Sequence, residues 1–574
     1  MDIRKILAEY DAMFGAKSLS QIEAYLYQKI CEAAKLQDDG ALLTLLNEMI
    51  GLCRDTSQKE KAVAYCGQLK KLLDGFSMQG TESYATSMQN IANAYRAFGM
   101  HKEALEAFEQ IEKTYEICLP REDYLWAALY NNWGLLYQET GDFEKSVAVL
   151  ERALDNVSRR TDAIKVAITK TNLTNSLLAL GEKERAEKEI KAALEIFRRD
   201  NEVDFHYGAA LVAMGDCLAA GGAWMKAAAY YRSGIVEILL HTGKSDGYYR
   251  VNEKYEASMQ KSKEADGKQK PVSHLEICRK FYETYGKPMI SQHFPEYESR
   301  IAVGMAGEGS DCFGFEDEIS KDHDFGIGFC MWITKEDYRL FGEDLQREYE
   351  TLLAEQDARP GQNRFLDGRR GVLITEEFFG NIREEWQIAE KINGAVFRDD
   401  AGIVSQKRSS LSGYYPAKVK SQKLACLLHE FSQYGQVNYG RMMARGDEAT
   451  AAMCIGKTIE CAFDIAYLLE EKYAPYYKWK RKGLEQVGEG KWRDVLWVCE
   501  ALAMAPCRRS VWEDYEYRAD TLNAADKRVR LVELLAGLLL EEIKKTYPLE
   551  GDDVFLERYV NCLEEAECNE SKTN

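Results

Sequence analysis

Residues 133–153 read WGLLYQETGDFEKSVAVLERA, and a similar pattern recurs several times in the first half of the chain. Gly141 separates two helical segments, as expected where the chain turns through a conformation that is costly for other residues. Other positions share this frame: Tyr95, Gly99, Ala104 and Phe108 one repeat earlier, Leu177, Gly181, Ala186, Ile190 and Ala193 one repeat later, and Gly215, Gly222, Ala227 and Tyr231 in a fourth copy. The glycines between helices, at 99, 141, 181 and 222, are 42, 40 and 41 residues apart.

This pattern resembles the tetratricopeptide repeat, a helical hairpin that stacks on its neighbours to form a solenoid. Small residues such as Ala104 and Ala186 stand where two helices cross closely. An unrelated helical bundle is the alternative, and four copies in one frame favour the repeat. The helical period of residues 1–80 predicts one or two further, degenerate hairpins. We therefore predict an all-α solenoid over residues 1–242, which binds a protein or peptide and performs no chemistry of its own.

Composition excludes several classes of function. The 574 residues are 46% hydrophobic and 29% charged, which is typical of several globular domains. The net charge of -19 disfavours general nucleic-acid binding, because a phosphate backbone is also negative. Fifteen cysteines without a CxxC pair, with only seven histidines, indicate no zinc site and a reducing compartment. The charged first residues lack the apolar centre of a signal peptide, and no apolar stretch could span a membrane. We expect a cytoplasmic protein.

Residues 243–271 are rich in polar side chains and end at Pro271. This pattern is typical of either a solvated helix or a domain boundary, and we assign the segment as a linker. A different pattern follows, with short apolar runs and glycines, which predicts an α/β domain over residues 272–400.

Two acidic side chains carry the chemistry of this second region. We predict a strand over 300–306, a turn over 307–310 and a second strand over 322–332. Side chains alternate along a strand, so Asp322 and Asp324 point to the same face. Neighbouring carboxylates repel unless a cation joins them, and magnesium prefers oxygen ligands that it shares with substrate phosphates. The alternatives are a solvated turn for the two aspartates and a helix cap for Ser310.

Three segments support a family resemblance: GEGSDCFGFEDEISKDHDFGIGF (307–329), NGAVFRDDAGIVSQKRSSLSGYYP (393–416) and YAPYYKW (473–479). They resemble an uncharacterised bacterial domain family within the DNA polymerase beta-like nucleotidyltransferase superfamily, over roughly residues 270–500. The resemblance implies a phosphate-binding turn, with Gly307, Gly309 and Ser310 as nucleotide-binding residues. It also implies that Asp322 and Asp324 bind magnesium or manganese.

The superfamily uses a third carboxylate on a later strand, and here the sequence departs from its pattern. The expected strand, 371–375, has no acid at its centre. Glu376, at its end, is our candidate, and Glu377 stands beside it. Asp317 and Glu318, in the loop before Ser320, are the competing candidates.

A helical region follows over residues 401–574. Arg441 and Arg445 share a face of one predicted helix and could neutralise charge on a nucleotide, or could form a surface salt-bridge network. The aromatic cluster at 473–479 could stack on a base, or could pack helix against helix.

The expected fold is thus a tetratricopeptide-like solenoid, an α/β (α+β) nucleotidyltransferase-like domain and a C-terminal helical domain. The expected function is metal-dependent transfer of a nucleoside monophosphate from a nucleoside triphosphate to a protein or small-molecule acceptor. The alternative is an inactive scaffold that senses a nucleotide.

Overall fold

A computed structural model describes residues 1–13, 19–76, 78–158, 162–200, 203–266, 272–317, 319, 326–356, 370–518 and 521–565. The first half of the chain is a continuous series of antiparallel helices. They are α1 Ile3–Met13, α2 Leu19–Leu36, α3 Asp39–Asp55, α4 Lys59–Gly75, α5 Glu82–Ala97, α6 His101–Cys118, α7 Tyr124–Glu139, α8 Phe143–Ser158, α9 Ala163–Ala179, α10 Lys183–Asp200, α11 Tyr207–Ala220, α12 Trp224–Thr242 and α13 Asp246–Asp266. Consecutive helices pack against one another, as in a solenoid.

The predicted inter-helix glycines adopt the left-handed backbone that the hairpin requires. The φ angles of Gly99, Gly141, Gly181 and Gly222 lie between 75° and 82°. Ser57, 42 residues before Gly99, occupies the same place between α3 and α4 with a φ of 60°. The predicted degenerate hairpins within residues 1–80 are therefore present, and one of them lacks the glycine.

Close packing within and between hairpins explains the other residue types of the repeat. Ala104 and Ala186 are completely buried. A Cβ atom on Gly215 would lie 2.5 Å from the ring of Tyr231. Neighbouring hairpins are also joined by asparagine side chains at the repeat spacing. The Nδ2 atoms of Asn90 and Asn172 donate to the Oδ1 atoms of Asn47 and Asn131, at 2.9 and 3.0 Å.

The segment assigned as a linker contains helix α13, which packs along α12. Tyr248 and Val251 of α13 are buried. Of the two interpretations of residues 243–271, the helix is thus present over most of the segment, and it is one further layer of the solenoid.

The second region contains a four-stranded mixed sheet among short helices. Its elements are α14 His274–Phe281, α15 Lys287–His293, β1 Ala302–Met305, α16 Ser310–Phe313, β2 Cys330–Ile333, α17 Lys335–Asp337, α18 Glu343–Glu355, β3 Gly371–Ile374, α19 Thr375–Gly380, α20 Trp386–Ile392, β4 Ala395–Arg398 and α21 Ile403–Ser412. The strand order is β3-β2-β1-β4. β1 is antiparallel to both β2 and β4, and β2 is parallel to β3.

Both faces of the sheet are covered. Val303, Met331 and Ile333 face a core that α15 and α18 complete. Trp332 and Val404 lie in a second core on the other face, where α19 and α21 pack. Helix α21 therefore packs on the sheet, although the predicted boundary at residue 400 assigned it to the C-terminal region.

Two of the predicted strands have the expected position, and one is shorter than predicted. β1 and β3 lie within the predicted 300–306 and 371–375. The second strand was predicted over 322–332, but β2 begins only at Cys330, and residues 326–329 are not in a strand.

The C-terminal region is helical, as predicted. Its helices are α22 Ala417–Phe431, α23 Tyr439–Arg445, α24 Glu448–Leu469, α25 Tyr477–Leu484, α26 Arg493–Met504, α27 Ser510–Glu513, α28 Lys527–Thr546 and α29 Val560–Glu565. This bundle shares one hydrophobic core with the last solenoid hairpin, in which Tyr231 and Ile235 of α12 pack with Leu535 and Leu539 of α28. Within the described part of the chain, no helix is both long and apolar enough to cross a membrane.

The solenoid curves until its first helices approach its last. A cavity of about 400 Å³ is lined by Tyr10 and Asn47 on one side and by His241 of α12 and Arg530 of α28 on the other. A second cavity, of about 310 Å³, lies between Gln21 of α2 and residues 550–562. Both ends of the solenoid therefore lie beside the C-terminal bundle.

Candidate functional site

Four chain segments meet at the end of the sheet where β1 finishes and the other three strands begin. We call this end of the sheet the turn edge. It consists of residues 307–311 after β1, residues 326–329 before β2, Arg370 before β3, and residues 393–394 before β4. The register places them together, because Gly304 pairs with Cys330, Cys330 with Gly371, and Met305 with Ala395. The end of β1 therefore lies beside the starts of the other three strands.

The turn at 307–310 is held in an open shape by the start of β4. Gly307 and Gly309 have φ angles of 121° and 123°, which side chains rarely adopt. The N–H of Gly307 donates to Oδ1 of Asn393 at 3.0 Å, and Nδ2 of Asn393 donates to the carbonyl of Gly307 at 2.8 Å. Gly394 approaches β1 so closely that a Cβ atom would lie 2.0 Å from the carbonyl oxygen of Met305. The Asn-Gly pair thus fixes the turn.

A buried ion cluster lies directly beneath this turn. The carboxylate of Asp311 accepts from Nη2 of Arg370 at 2.7 Å and lies 3.3 Å from Nδ1 of His274. Asp311 and His274 are 3% and 2% exposed. Burial alone would lower the pKa of His274, but its hydrogen bonds to Asp311 and Cys278 raise it to about 9. Burial would raise the pKa of Asp311, yet His274 and Arg370 hold it below its usual value. The cluster therefore supports the turn from below with three charged side chains.

Further basic groups border the turn edge. Lys391, two residues before Asn393, is half-buried above the ring of Phe378. Burial lowers its pKa, although the carboxylates of Glu390 and Glu308 oppose this effect. Lys482 of α25 donates to the carbonyl of Phe315 at 2.7 Å and so ties the C-terminal bundle to the loop after the turn. The site has both positive charge and backbone N–H groups with which to bind an anion.

Ser310 lies where the sequence predicted it, but in a different role from a helix cap. It is the first residue of α16, and Gly309 holds the capping position. The side chain of Ser310 is largely buried. Together, Gly307, Gly309 and Ser310 form one compact turn.

Only some of the predicted acids belong to the residues that the structure describes. Asp322 and Asp324 lie outside the described residues, as does Glu318. Glu376 follows β3, whose last residue, Ile374, pairs with Ile333 at the end of β2. It therefore lies at the opposite edge of the sheet, one strand length away, or about 13 Å. Its Oε2 accepts from the backbone N–H of Lys335 at 3.0 Å.

The other predicted residues have partners elsewhere. Asp317 lies 3.4 Å from Nζ of Lys482. Helix α23, which carries Arg441 and Arg445, packs against α24 and α27 in the C-terminal bundle. Arg441 contacts Oδ1 of Asn438 at 3.4 Å. Among the described residues, no hydrogen bond or ion pair joins either arginine to the turn edge.

The described residues do not by themselves form a metal site. Across the described ranges, no group of three or more histidine, cysteine or acidic side chains could hold a metal ion. Asp311, the nearest buried carboxylate, is already bound to Arg370 and His274. Asp322 and Asp324, the predicted ligands of magnesium or manganese, lie outside the described residues, so this absence does not extend to them.

Comparisons with known families match two parts of the chain. A tetratricopeptide repeat model matches residues 127–199. A family model described as a domain of unknown function (DUF4037) matches residues 381–480, from the approach to β4 into α25. The first match and the helical hairpins agree, so the N-terminal region contains tetratricopeptide repeats. No match was found among curated proteins.

Solved structures resemble the solenoid only distantly. BtubC (BKLC) from P. vanneervenii is 16% identical, over 45% of this chain and 95% of its own, with a TM-score of 0.30. A putative kinesin light chain with tetratricopeptide-like repeats from Podosopora anserina is 18% identical, over 34% of this chain and 94% of its own, with a TM-score of 0.29. NprR in complex with its cognate peptide NprX is 15% identical, over 50% and 87% of the two chains, with a TM-score of 0.35.

Sequence reasoning missed the residues that support the turn. Asn393 and Gly394 lay inside a quoted motif, and an Asn-Gly pair before a short apolar run is a recognisable turn signal. Asp311 lay beside Ser310 in another motif. Nothing in the sequence marked His274 or Arg370 as its partners, because they are 37 and 59 residues away.

Proposed function

We propose that the chain is a metal-dependent nucleotidyltransferase that moves a nucleoside monophosphate from a nucleoside triphosphate to an acceptor. One observation carries the proposal: the segment between α16 and β2 leaves and re-enters the sheet at the turn edge. Asp322 and Asp324 belong to this segment, and Cys330, where it re-enters, pairs with Gly304 of β1. A phosphate-binding turn next to a segment that carries two acids is the arrangement that this proposal requires.

In this proposal each part of the site has a separate role. The turn at 307–310 binds triphosphate oxygens through its backbone, and the charge of Lys391 favours the same anion. Asp322 and Asp324 bind a divalent cation, which would neutralise the charge that develops as the acceptor oxygen displaces pyrophosphate at the α-phosphorus. Of the predicted third acids, Glu376 is on the wrong edge for this reaction, which leaves the activating base unassigned.

The solenoid has the second role. Tetratricopeptide repeats perform no chemistry and present an extended concave surface. We propose that they recruit a protein partner, which is either the acceptor or a regulator of the transfer.

A thermal-shift panel tests the nucleotide site. Each nucleoside triphosphate is added with and without magnesium, and a ligand at about one hundred times its Kd should stabilise the protein by about 2.7 kcal/mol. The stabilisation should require metal and should be lost in Asp322→Asn and Asp324→Asn. Asp344→Asn, an exposed acid of α18, is the matched control. If triphosphate and magnesium stabilised the two site variants as much as the unmodified protein, the metal-binding role of Asp322 and Asp324 would be contradicted.

Transfer itself is tested with α-labelled triphosphate and cell extract. Label incorporated by the unmodified protein, and absent with Asp322→Asn, supports the enzyme. The sequence pattern predicts that Glu376→Gln abolishes incorporation, whereas its position at the opposite end of the sheet predicts no effect. Incorporation by Glu376→Gln decides between these two predictions.

The second candidate function is a nucleotide-sensing scaffold. It is favoured by the turn edge itself, where the buried acid, Asp311, is fully engaged with two cations. Metal-dependent stabilisation without incorporation of label would select this function.

A further inference from the structure

A separate cavity of about 620 Å³ lies between the sheet region and the C-terminal bundle. It is bounded by the start of α20, by α22 and α24, and by the segment that leads into α25. The residues that line the cavity run from Glu384 to Lys480, so all of them fall within residues 381–480, which the domain of unknown function covers. The cavity does not include any residue of the turn edge.

Aromatic rings form one wall of the cavity. Trp386 and Tyr476 lie with their ring centroids 4.9 Å apart, and Tyr476 and Tyr477 are 4.6 Å apart. Tyr414 completes this wall, and its ring is 5.0 Å from that of Tyr473. Tyr476 is 37% and Tyr477 67% exposed, so their ring faces are open to a ligand. Such a wall suits a flat ligand or a cation, because aromatic faces are electron-rich.

Carboxylates also line the cavity. Glu460 and Asp464 stand one helical turn apart on α24, and Glu384 and Glu385 precede α20. Burial raises the pKa of Asp464 even though Lys480 lies 2.8 Å away and opposes the shift. The cavity therefore holds a carboxylate that water solvates poorly.

The lysines of the cavity are mostly engaged by these acids. Nζ of Lys480 lies 2.8 Å from Asp464 and 3.2 Å from Glu460, and so one positive charge is shared by two carboxylates. Lys423 lies 2.5 Å from Glu385. Lys457, outside the cavity, also pairs with Glu460 at 2.8 Å. Lys472 is exposed at the margin.

The carboxylate of Glu385 places negative charge near the aromatic wall. Burial is the main reason that the pKa of Tyr414 is raised, and the charge of Glu385 raises it further. The pKa of Tyr473 is raised by the same two causes. A field that opposes the loss of a proton from these hydroxyls also attracts a positively charged ligand.

Two helices connect this cavity to the turn edge. α20 begins with Trp386 at the cavity and is followed by Asn393, which holds Gly307. On α25, Lys480 lines the cavity and Lys482 binds the loop after the turn. The two sites are thus about one short helix apart, or about 10 Å.

We propose that the cavity binds a small organic cation, whose ammonium group lies among Asp464, Glu460 and Glu385 and whose body lies against Trp386 and Tyr476. As an acceptor site for nucleotidyl transfer, the cavity rests on the proposed function. As a cation site it does not, because binding needs neither nucleotide nor metal.

Calorimetric titration of the full chain, without nucleotide, tests the binding. The probes are choline, benzyltrimethylammonium and spermidine, and 3,3-dimethylbutan-1-ol is the neutral analogue of choline. At least one cation should bind with a Kd below about 1 mM, and more weakly as salt is added. Choline should bind at least about tenfold more tightly than its neutral analogue, since charge and aromatic faces both favour the cation.

Two variants locate the site. Asp464→Asn and Trp386→Leu should each weaken binding of the cation at least about tenfold, as expected for removal of a charge or of an aromatic face. Glu448→Gln, at the exposed start of the same helix as Asp464, should leave the affinity unchanged. If Asp464→Asn fails to fold by circular dichroism, Glu385→Gln replaces it.

The inference is overturned if no cation binds, if choline and its neutral analogue bind equally, or if both site variants bind like the unmodified protein. Binding without label transfer would leave the cation site in place and reject only the transferase. Label transfer without cation binding would support the transferase and reject the cation site.

Discussion

Ser57 stands at a backbone position that glycine occupies in the four hairpins that follow it. Its φ of 60° places a side chain in the left-handed region. We predict that Ser57→Gly raises the free energy of unfolding by about 1 kcal/mol, because glycine adopts this conformation without the steric cost. The midpoint of urea unfolding, followed by far-UV circular dichroism, measures the change.

The reverse substitution belongs to the same test. Gly141→Ala should destabilise by a similar amount, since φ is 79° there and no atom lies near enough for a new methyl group to contact. Gly67→Ala is the control, because Gly67 is inside α4, with an ordinary helical backbone and open space around it. It should be neutral or stabilising. A stabilising Gly141→Ala would contradict the backbone argument.

Glu533 makes stability depend on pH. It is buried in α28, and burial raises its pKa to about 8, with Gln436 donating a hydrogen bond at 2.9 Å. Between its ordinary pKa of 4.5 and about 8, the unfolded chain loses this proton while the folded chain keeps it. Stability must therefore fall as pH rises through this window, by up to about 1.4 kcal/mol per pH unit.

Glu533→Gln should remove this fall. Urea unfolding at pH 5 and pH 7.5 should give a larger loss of stability for the unmodified protein than for the variant. Parallel pH profiles for the two proteins would mean that Glu533 is already ionised in the folded state.

At the scale of elements, the turn edge depends on the loop before β4. Asn393→Ala removes both hydrogen bonds to the backbone of Gly307 and should cost about 1–3 kcal/mol, because the buried amide groups lose their partner. It should also abolish the stabilisation by nucleoside triphosphate. Asn381→Ala, an exposed position after α19, is the control for both measurements. If Asn393→Ala bound nucleotide as well as the unmodified protein, the turn at 307–310 would not be part of the nucleotide site.

The sequence predicted some elements well and others poorly, for physical reasons. The four hairpins from α5 to α12 were predictable because a glycine, at 99, 141, 181 and 222, recurs between their helices. β1 and β3 were predictable because they are short apolar runs bounded by glycine or charge. β4 was missed because AVFR, an edge strand with all four residues only partly buried, has little apolar periodicity. The start of β2 was placed too early because GIGF continues the same apolar pattern without being in the sheet.

The candidate site was only partly predictable. The turn at 307–310 is local, so its glycines could be recognised from sequence. Glu376 was chosen because it follows a strand, but the parallel pairing of β3 with β2 carries it to the other edge. Strand direction depends on contacts between distant segments, and no local pattern encodes it.

At the scale of the whole molecule, a buried ion pair joins the solenoid to the C-terminal bundle. Glu237 of α12 and Lys527 of α28 lie 2.5 Å apart, with side chains 4% and 14% exposed. Glu237→Met or Lys527→Met alone should cost about 3–5 kcal/mol, because each leaves a buried charge uncompensated. The double variant Glu237→Met with Lys527→Met should cost less than the sum of the two single changes.

Urea unfolding of the four proteins of this cycle measures the coupling. It should also show one transition for α12 and the bundle, because they share a core. Strictly additive costs, or separate transitions for solenoid and bundle, would contradict a fused interface. The sequence indicated a linker here because α13 is strongly polar, and its buried face, with Tyr248 and Val251, is narrow.

Contact at both ends of the solenoid also limits how this architecture can vary. An open array of repeats can gain or lose a hairpin at little cost, since each repeat touches only its neighbours. Here one additional hairpin would rotate α2 away from residues 550–562 while α12 and α13 stayed fixed in the bundle. Proteins that share this arrangement should therefore keep the same number of hairpins, and differ instead in the length of the loops between them.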